Sequence, residues 1–379
     1  MKYMGSKRLM IENGLGALVK HRSRYSKRVF DLFCGASSVS WYAAQHTRLP
    51  VYSSDLQSFS VVLARSVVER TEPINPDDLI SSWLGPAVQQ SCLSEYWKEA
   101  ASLRLLSDNE IDILVQEARS LCAQPLSVGP VWNAYGGYYF GPVQALLFDY
   151  TLSLLPVAEP QRSVCLASII SSASRCAASP GHTAQPFKAN RTAGPYLREA
   201  WAKDPIAYAK EALLSICPIF ANAQGEARVA DAIELSSKLR RGDLAFVDPP
   251  YSNVQYSRFY HVLETIVVGQ CSDVSGSGRY PPIAERPQSD FSKVGKSQTA
   301  LLSLLDALAD AEATVIFTFP AGMASNGLSG GLVKQLSAER FHRVDEIVVD
   351  GEFSTLGGNN KKRASRKPSR ESILLMRPK

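Results

Sequence analysis

The sequence predicts an α/β fold in which a parallel sheet is interrupted by a long helical insertion. Short apolar runs alternate with helix-period segments up to about residue 70, and the pattern then turns helical through about residue 223. From residue 224 the strand-and-helix alternation resumes. A chain of 379 residues exceeds what one hydrophobic core usually organises. Two domains are therefore expected, one built from residues 1–70 and 224–379 and the other from the insertion 71–223.

The elements follow in order. Arg28–Phe33 reads as a buried strand, Ser37–Gln45 as a helix, Val51–Ser54 as a second strand and Leu56–Glu69 as a second helix. Within the insertion, helical periods cover Asn109–Cys122, Pro142–Leu155, Arg162–Ala177 and Pro205–Ile216, joined by loops rich in Gly, Pro and Ser. Further strands are expected over Ala227–Ala230, Leu244–Val247, Ala313–Phe319, Val344–Val349 and Ser372–Met376. Between Cys271 and Lys296 lies an aperiodic stretch, long for a compact domain and therefore either mobile or functional, a closing loop beside an active site being one option.

Composition narrows the class. A hydrophobic share of 45% with 20% charged residues describes a globular chain and excludes a disordered one. Apolar stretches such as Val164–Ile170 are too short to span a bilayer, and the polar, basic N-terminus lacks the apolar core of a secretion signal, so a cytoplasmic protein with no membrane partner is expected. The cysteines at 34, 92, 122, 165, 176, 217 and 271 form neither zinc-type pairs nor a disulfide framework; they read as reduced, mostly buried thiols, with no metal implied. The net charge of +5 permits a nucleic-acid partner without requiring one. Basic residues gather at His21, Arg22, Arg24, Lys27 and Arg28, and again at Lys361, Lys362, Arg363, Arg366, Lys367 and Arg370, where either a solvated loop or a phosphate contact fits.

The chemistry centres on Asp248-Pro249-Pro250-Tyr251, which follows the apolar run Leu244–Val247 and so stands at the carboxyl end of a strand, where open α/β sheets bind ligands. Two prolines cannot continue a sheet ladder and instead stiffen the turn. Methylation of an exocyclic base amine fits this arrangement. The nitrogen lone pair is delocalised into the ring, and acceptors such as the Asp248 carboxylate and the Pro249 carbonyl would hold the N–H groups and aim the lone pair outward. Tyr251 would stack on a base flipped out of the duplex.

Upstream, Phe30-Asp31-Leu32-Phe33-Cys34-Gly35-Ala36-Ser37 runs from a strand into a tight turn that a ligand can approach, with Asp31, Phe33 and Gly35 as cofactor candidates. Asp55 ends the next strand, where an acid can accept ribose hydroxyls or, equally, cap the helix beginning at Leu56.

Taken in order, Tyr3-Met4-Gly5-Ser6-Lys7, the Phe-x-Gly turn, the strand-ending acid, the helical insertion and Asp-Pro-Pro-Tyr resemble the alpha group of amino-methyltransferases, the Dam-like DNA adenine methylases. The resemblance covers most of the chain at the level of motif order. It implies a Rossmann-like S-adenosylmethionine-dependent methyltransferase sheet carrying an inserted, mainly helical target-recognition domain, with S-adenosylmethionine as cofactor and DNA as partner. In that family the N-terminal segment folds over the cofactor, which implies that Tyr3, Met4 and Gly5 lie beside it, with Lys7 neutralising the methionine carboxylate. Asp231 matches the family position that reads the cofactor adenine, although a turn aspartate has the same appearance. Ser37 departs from the pattern, standing where a second glycine is usual. For DNA contact the resemblance singles out Tyr135 in an aromatic loop, Lys188 and Arg191 in the insertion, Arg258 after the catalytic motif, and Lys361, Lys362 and Arg363; packing of a small aromatic core accounts for the tyrosines as well. His261 reads as a packed histidine. A companion restriction or defence protein would be encoded elsewhere.

Other readings remain open at this level. The same acceptors serve cytosine N4, flipped bases occur in RNA as well as DNA, and a catalytically silent DNA-binding relative would share the fold. A dinucleotide-dependent dehydrogenase is disfavoured, because the full GxGxxG is missing and Asp-Pro-Pro-Tyr has no place in it.

Overall fold

A computed structural model describes residues 6–105, 110–354 and 366–379. Its chain divides into two compact units. Of the described residues, one comprises those from Ser6 to Glu72 together with those of Ile219–Tyr256 and Pro287–Lys379, and the other those of Pro73–Pro218 together with Ser257–Arg286.

The first unit is built on a seven-stranded sheet in the order β3-β2-β1-β4-β5-β7-β6. Its strands are β1 (Val29–Asp31), β2 (Val51–Asp55), β3 (Glu226–Val229), β4 (Leu244–Val247), β5 (Thr314–Pro320), β6 (Arg343–Ser354) and β7 (Arg366–Arg377). β1 to β5 are parallel, whereas β7 runs antiparallel to β5 and to β6. The sheet is thus mixed, and the departure from the expected parallel sheet has a simple cause. Residues 355–365 are too few for the crossover that parallel neighbours need, whereas antiparallel strands can be joined directly. The pairing of β6 and β7 extends outward as far as Ser354 opposite Arg366, past the apolar runs that mark the strands in the sequence.

Both faces of the sheet are covered, as parallel strands require. Alternation along β4 sends Ala245 and Val247 to a core shared with Leu301, Leu304, Leu305 and Leu308 of the helix Ser297–Asp310. Leu244 and Phe246 face the opposite core, with Ala43 of the helix Ser38–His46 and Val61, Ala64 and Val67 of the helix Ser58–Val68. Every β4 residue is therefore buried. That burial is what fixes the position of the residues emerging after Val247.

The second unit is helical, with principal helices Ile111–Cys122, Pro142–Ser153, Gln161–Cys176, Gly194–Ala202 and Pro205–Ile216. It differs from the expected insertion by also holding Ser257–Arg286. Tertiary bonds hold that later segment there: Gly278 O accepts from Tyr139 Oη (2.9 Å) and lies 2.9 Å from His261 Nε2, while Thr265 Oγ1 meets Tyr135 Oη at 2.8 Å. The stretch expected as an open loop is partly pinned by these contacts and by short helical turns at Ile283–Glu285 and Asp290–Ser292. All seven cysteines are free, and Cys34, Cys122, Cys165, Cys176 and Cys217 are buried.

Candidate active site

In a doubly wound sheet, ligands bind outside the carboxyl ends of the strands where the order reverses. Here the chain winds outward from β1 through β2 to β3, and then returns to add β4 and β5 on the other side. The reversal falls between β1 and β4, which places the turn after Asp31 beside the segment Asp248–Tyr251. Asp31, Asp55 and Asp248 each stand at or just past a strand end on this side of the sheet.

Asp248 is held by two residues distant in sequence. Lys7 Nζ lies 3.0 Å from its Oδ1, and Thr318 on β5 donates to the same oxygen at 2.7 Å. Lys7 also donates to Glu371 Oε2 at 2.8 Å; Glu371 sits opposite Pro320 in the β5–β7 pairing, which carries an acid to this edge of the site. The Lys7 side chain is only 6% exposed. Burial alone would lower its pKa, but the Asp248 and Glu371 carboxylates outweigh that and hold the amine protonated, above its ordinary range. Asp248 is itself raised, by burial and by the neighbouring Glu371 charge, against the opposing pull of Lys7 and Thr318. The ammonium of Lys7 thus pairs with two carboxylates of its own chain.

The rest of the motif is pinned from below. Asn326 Nδ2 donates to Pro250 O and to Phe291 O, both at 3.1 Å, and Pro249 is buried. Tyr251 is half-buried, its ring edge-on to Phe319 with centroids 6.2 Å apart.

On the β1 side, Gly35 adopts φ +48° and Ser37 φ +58°. The second value explains why glycine suits position 37, since a side chain in the left-handed region costs about 1–2 kcal/mol. Ser37 Oγ donates to Ser60 O at 3.1 Å, one bond set against that cost. Asp55 ties two turns together, its Oδ2 accepting from Gly35 N (2.9 Å) and its Oδ1 from Gln57 N (3.0 Å). The helix that follows begins at Ser58 with Gln57 as its cap, so Asp55 does not cap it. Phe33 packs edge-on to Phe291 at 5.3 Å.

Asp31 is 1% exposed; Ser40 donates to its Oδ2 at 2.6 Å, while Oδ1 is buried without a partner. Burial, reinforced by the Asp248 and Asp55 charges and opposed by Ser40, pushes its pKa up to about 7. The folded state therefore binds a proton that the unfolded chain has released, and this group's contribution to stability falls as pH rises from the ordinary aspartate range through 7. Asp31→Asn keeps an acceptor for Ser40 and removes the titration. The variant is expected to gain stability relative to wild type between pH 5 and pH 8 in urea melts; a difference that stays flat over that range would contradict the assignment.

The remaining candidates distribute unevenly. Asp231 is exposed and caps the short helix Ala232–Ser236, accepting from Ile233 N at 2.8 Å. Tyr135 is a correction: it is fully buried, its hydroxyl engaged with Thr265 and its ring edge-on to Tyr139 and His261, so it offers no surface to DNA. Lys188, Arg191 and Arg258 are exposed, and Arg258 Nε donates to Tyr280 Oη at 3.2 Å. Tyr3, Met4, Gly5, Lys361, Lys362 and Arg363 lie outside the described residues. Sequence reasoning missed Thr318, Glu371 and Asn326; the one available signal was Thr318, a polar residue inside the otherwise apolar run Val315–Phe319, whereas Glu371 stands among polar neighbours.

With this geometry in place the comparisons with known proteins fall into line. Residues 3–112 match the family described as D12 class N6 adenine-specific DNA methyltransferase. Over that stretch the chain is similar to the D12 class. The D12 stretch contains Lys7, Asp31, Gly35 and Asp55, whereas Asp248 and Glu371 lie beyond it. Modification methylase StsI of Streptococcus sanguinis is 23% identical over 308 residues, covering 80% of this chain and 42% of that protein. The chain thus spans less than half the length of this curated relative. Among the described residues no helix is long and apolar enough to cross a membrane.

Proposed function

We propose that this protein is an S-adenosylmethionine-dependent DNA methyltransferase that modifies the N6 amine of an adenine flipped from the duplex. The observation that carries the reading is the setting of Asp248: its Oδ1 is engaged by Lys7 and Thr318, which oppose the rise that burial imposes and leave Oδ2 to accept an N–H from a base amine. The Pro249 carbonyl, on the stiff turn fixed by Asn326, is the natural second acceptor. Together they hold both N–H groups and direct the nitrogen lone pair away from the ring. Tyr251, braced by Phe319, supplies the aromatic wall for the base.

The β1 side suits the methyl donor. The carboxylates of Asp31 and Asp55 flank a turn opened by Gly35, with Phe33 beside it, and the orphaned Asp31 Oδ1 awaits a donor. Such an acid-lined cradle fits a cationic nucleoside bearing hydroxyl and amino donors. When bound, S-adenosylmethionine supplies an electrophilic sulfonium methyl. Asp55 would accept the ribose hydroxyls and Asp231 the adenine amine, and the N-terminal Tyr3, Met4 and Gly5 would cover the group, as the family resemblance implies. The helical unit, with Lys188, Arg191 and Arg258 exposed, would read the DNA, and the segment Lys361–Arg363 would add phosphate contacts.

The test is transfer of labelled methyl from S-adenosylmethionine to unmethylated duplex DNA, with identification of the product nucleoside. N6-methyladenine formed by wild type and lost in Asp248→Ala is the expected result. Label in N4-methylcytosine would change the target base, and cofactor binding without transfer to any DNA would overturn the reading.

A further inference from the structure

The helical unit contains a charge arrangement with no counterion. The Tyr138 ring is stacked by two guanidinium groups, Arg119 at 4.3 Å and Arg279 at 4.1 Å from its centroid. Each arginine is anchored by backbone carbonyls: Arg119 Nε donates to Gly137 O at 3.1 Å, while Arg279 donates through Nε to Ala134 O and through Nη2 to Asn133 O, the latter at 3.2 Å. Carbonyls orient a guanidinium without neutralising it. Among the described residues neither arginine meets a carboxylate, so two like charges are held around one ring.

The backbone is shaped for this arrangement. Gly137 has φ +72°, and a Cβ there would lie 2.9 Å from the Arg119 Cα, so glycine is needed for the helix Ile111–Cys122 to approach. Arg279 itself takes φ +50°, a left-handed conformation that a side chain adopts at a cost. A second arginine–tyrosine stack of this unit behaves differently: Arg175 lies 3.7 Å from the Tyr208 centroid, but Glu211 neutralises it at 2.8 Å. Repulsion and backbone strain concentrated at one half-exposed spot are best relieved by an anion, and each guanidinium retains N–H donors for one.

We infer that the Arg119–Tyr138–Arg279 stack is a phosphodiester-binding site for the DNA backbone, a contact that positions the duplex without reading its sequence. The inference rests on the proposed DNA-modifying function and adds residues that the motif resemblance does not reach. Tyr138 serves as the spacer that keeps both guanidiniums parallel and pre-ordered.

The experiment measures binding of the full chain to an unmethylated duplex by fluorescence anisotropy across a salt series, comparing wild type, Arg119→Gln, and Arg119→Gln with Arg279→Gln. Loss of this one phosphate contact in the double variant should flatten the slope of log K against log salt by about 0.9, with the single variant falling between it and wild type. Thermal melts of the same proteins separate folding from binding, and the single variant, which gives up one carbonyl bond, keeps the test valid if the double variant folds poorly. An unchanged slope in a folded variant overturns the site while leaving the methyltransferase reading intact. A slope change seen with RNA but not with duplex DNA overturns it in favour of another polymer. Failure of wild type to bind any duplex overturns both readings together.

Discussion

Replacing Lys7 with methionine is expected to cost the fold about 3–5 kcal/mol, the usual penalty for removing one partner of a buried ionic group. Lys7 is the ammonium shared by Asp248 and Glu371, and without it two carboxylates face each other in a buried site. They respond by taking up a proton, so Asp248, already held high by burial, rises further. Two consequences can be measured. Because the folded state of the variant gains affinity for protons, its stability deficit should grow as pH rises and shrink as pH falls towards the ordinary carboxylate range. The acid limb of its pH–rate profile should also move to higher pH, since protonation of Asp248 competes with acceptance of the amine N–H at Oδ2. Urea melts at pH 5 and pH 8, with methyl transfer across the same interval, decide the matter; equal deficits at both pH values would show that Lys7 contributes only packing.

Tyr251→Ala is expected to reduce kcat/KM for DNA by about 5–150-fold, the range corresponding to loss of one base–aromatic stack worth about 1–3 kcal/mol. Tyr251→Phe should retain most of the activity, because the ring and its edge-on contact with Phe319 survive. The KM for S-adenosylmethionine should move little in either variant. A loss in Tyr251→Phe as large as in Tyr251→Ala would assign the role to the hydroxyl and overturn the stacking assignment.

Much of the sheet and catalytic loop was legible in the sequence because local signals there agree with the fold. Leu244–Val247 is a short, wholly apolar run closed by two prolines, and it forms a buried strand with those same bounds. Pro205–Ile216 was readable at both ends, since Asp204 caps a proline-started helix, accepting from Ile206 N and Ala207 N. What escaped notice depends on contacts made across great sequence distance. No local pattern announces that Lys7 will meet Glu371, 364 residues away. An aromatic segment such as Trp132–Phe140 reads alike whether it faces a base or a core, and Tyr135 proved to be core. The aperiodic stretch after Cys271 had no internal reason to join the helices; the acceptor at Gly278 O gives it one.

The two-segment make-up of the helical unit bears on how such proteins exchange specificity. A recombination event that replaced only Pro73–Pro218 would transplant Tyr135 without Thr265, the partner of its buried hydroxyl, and the rings of Tyr135 and Tyr139 without His261. An orphaned phenol in a core costs about 1–3 kcal/mol. A helical unit exchanged between such chains would therefore fold only with Ser257–Arg286 carried along, and that segment begins six residues after Tyr251.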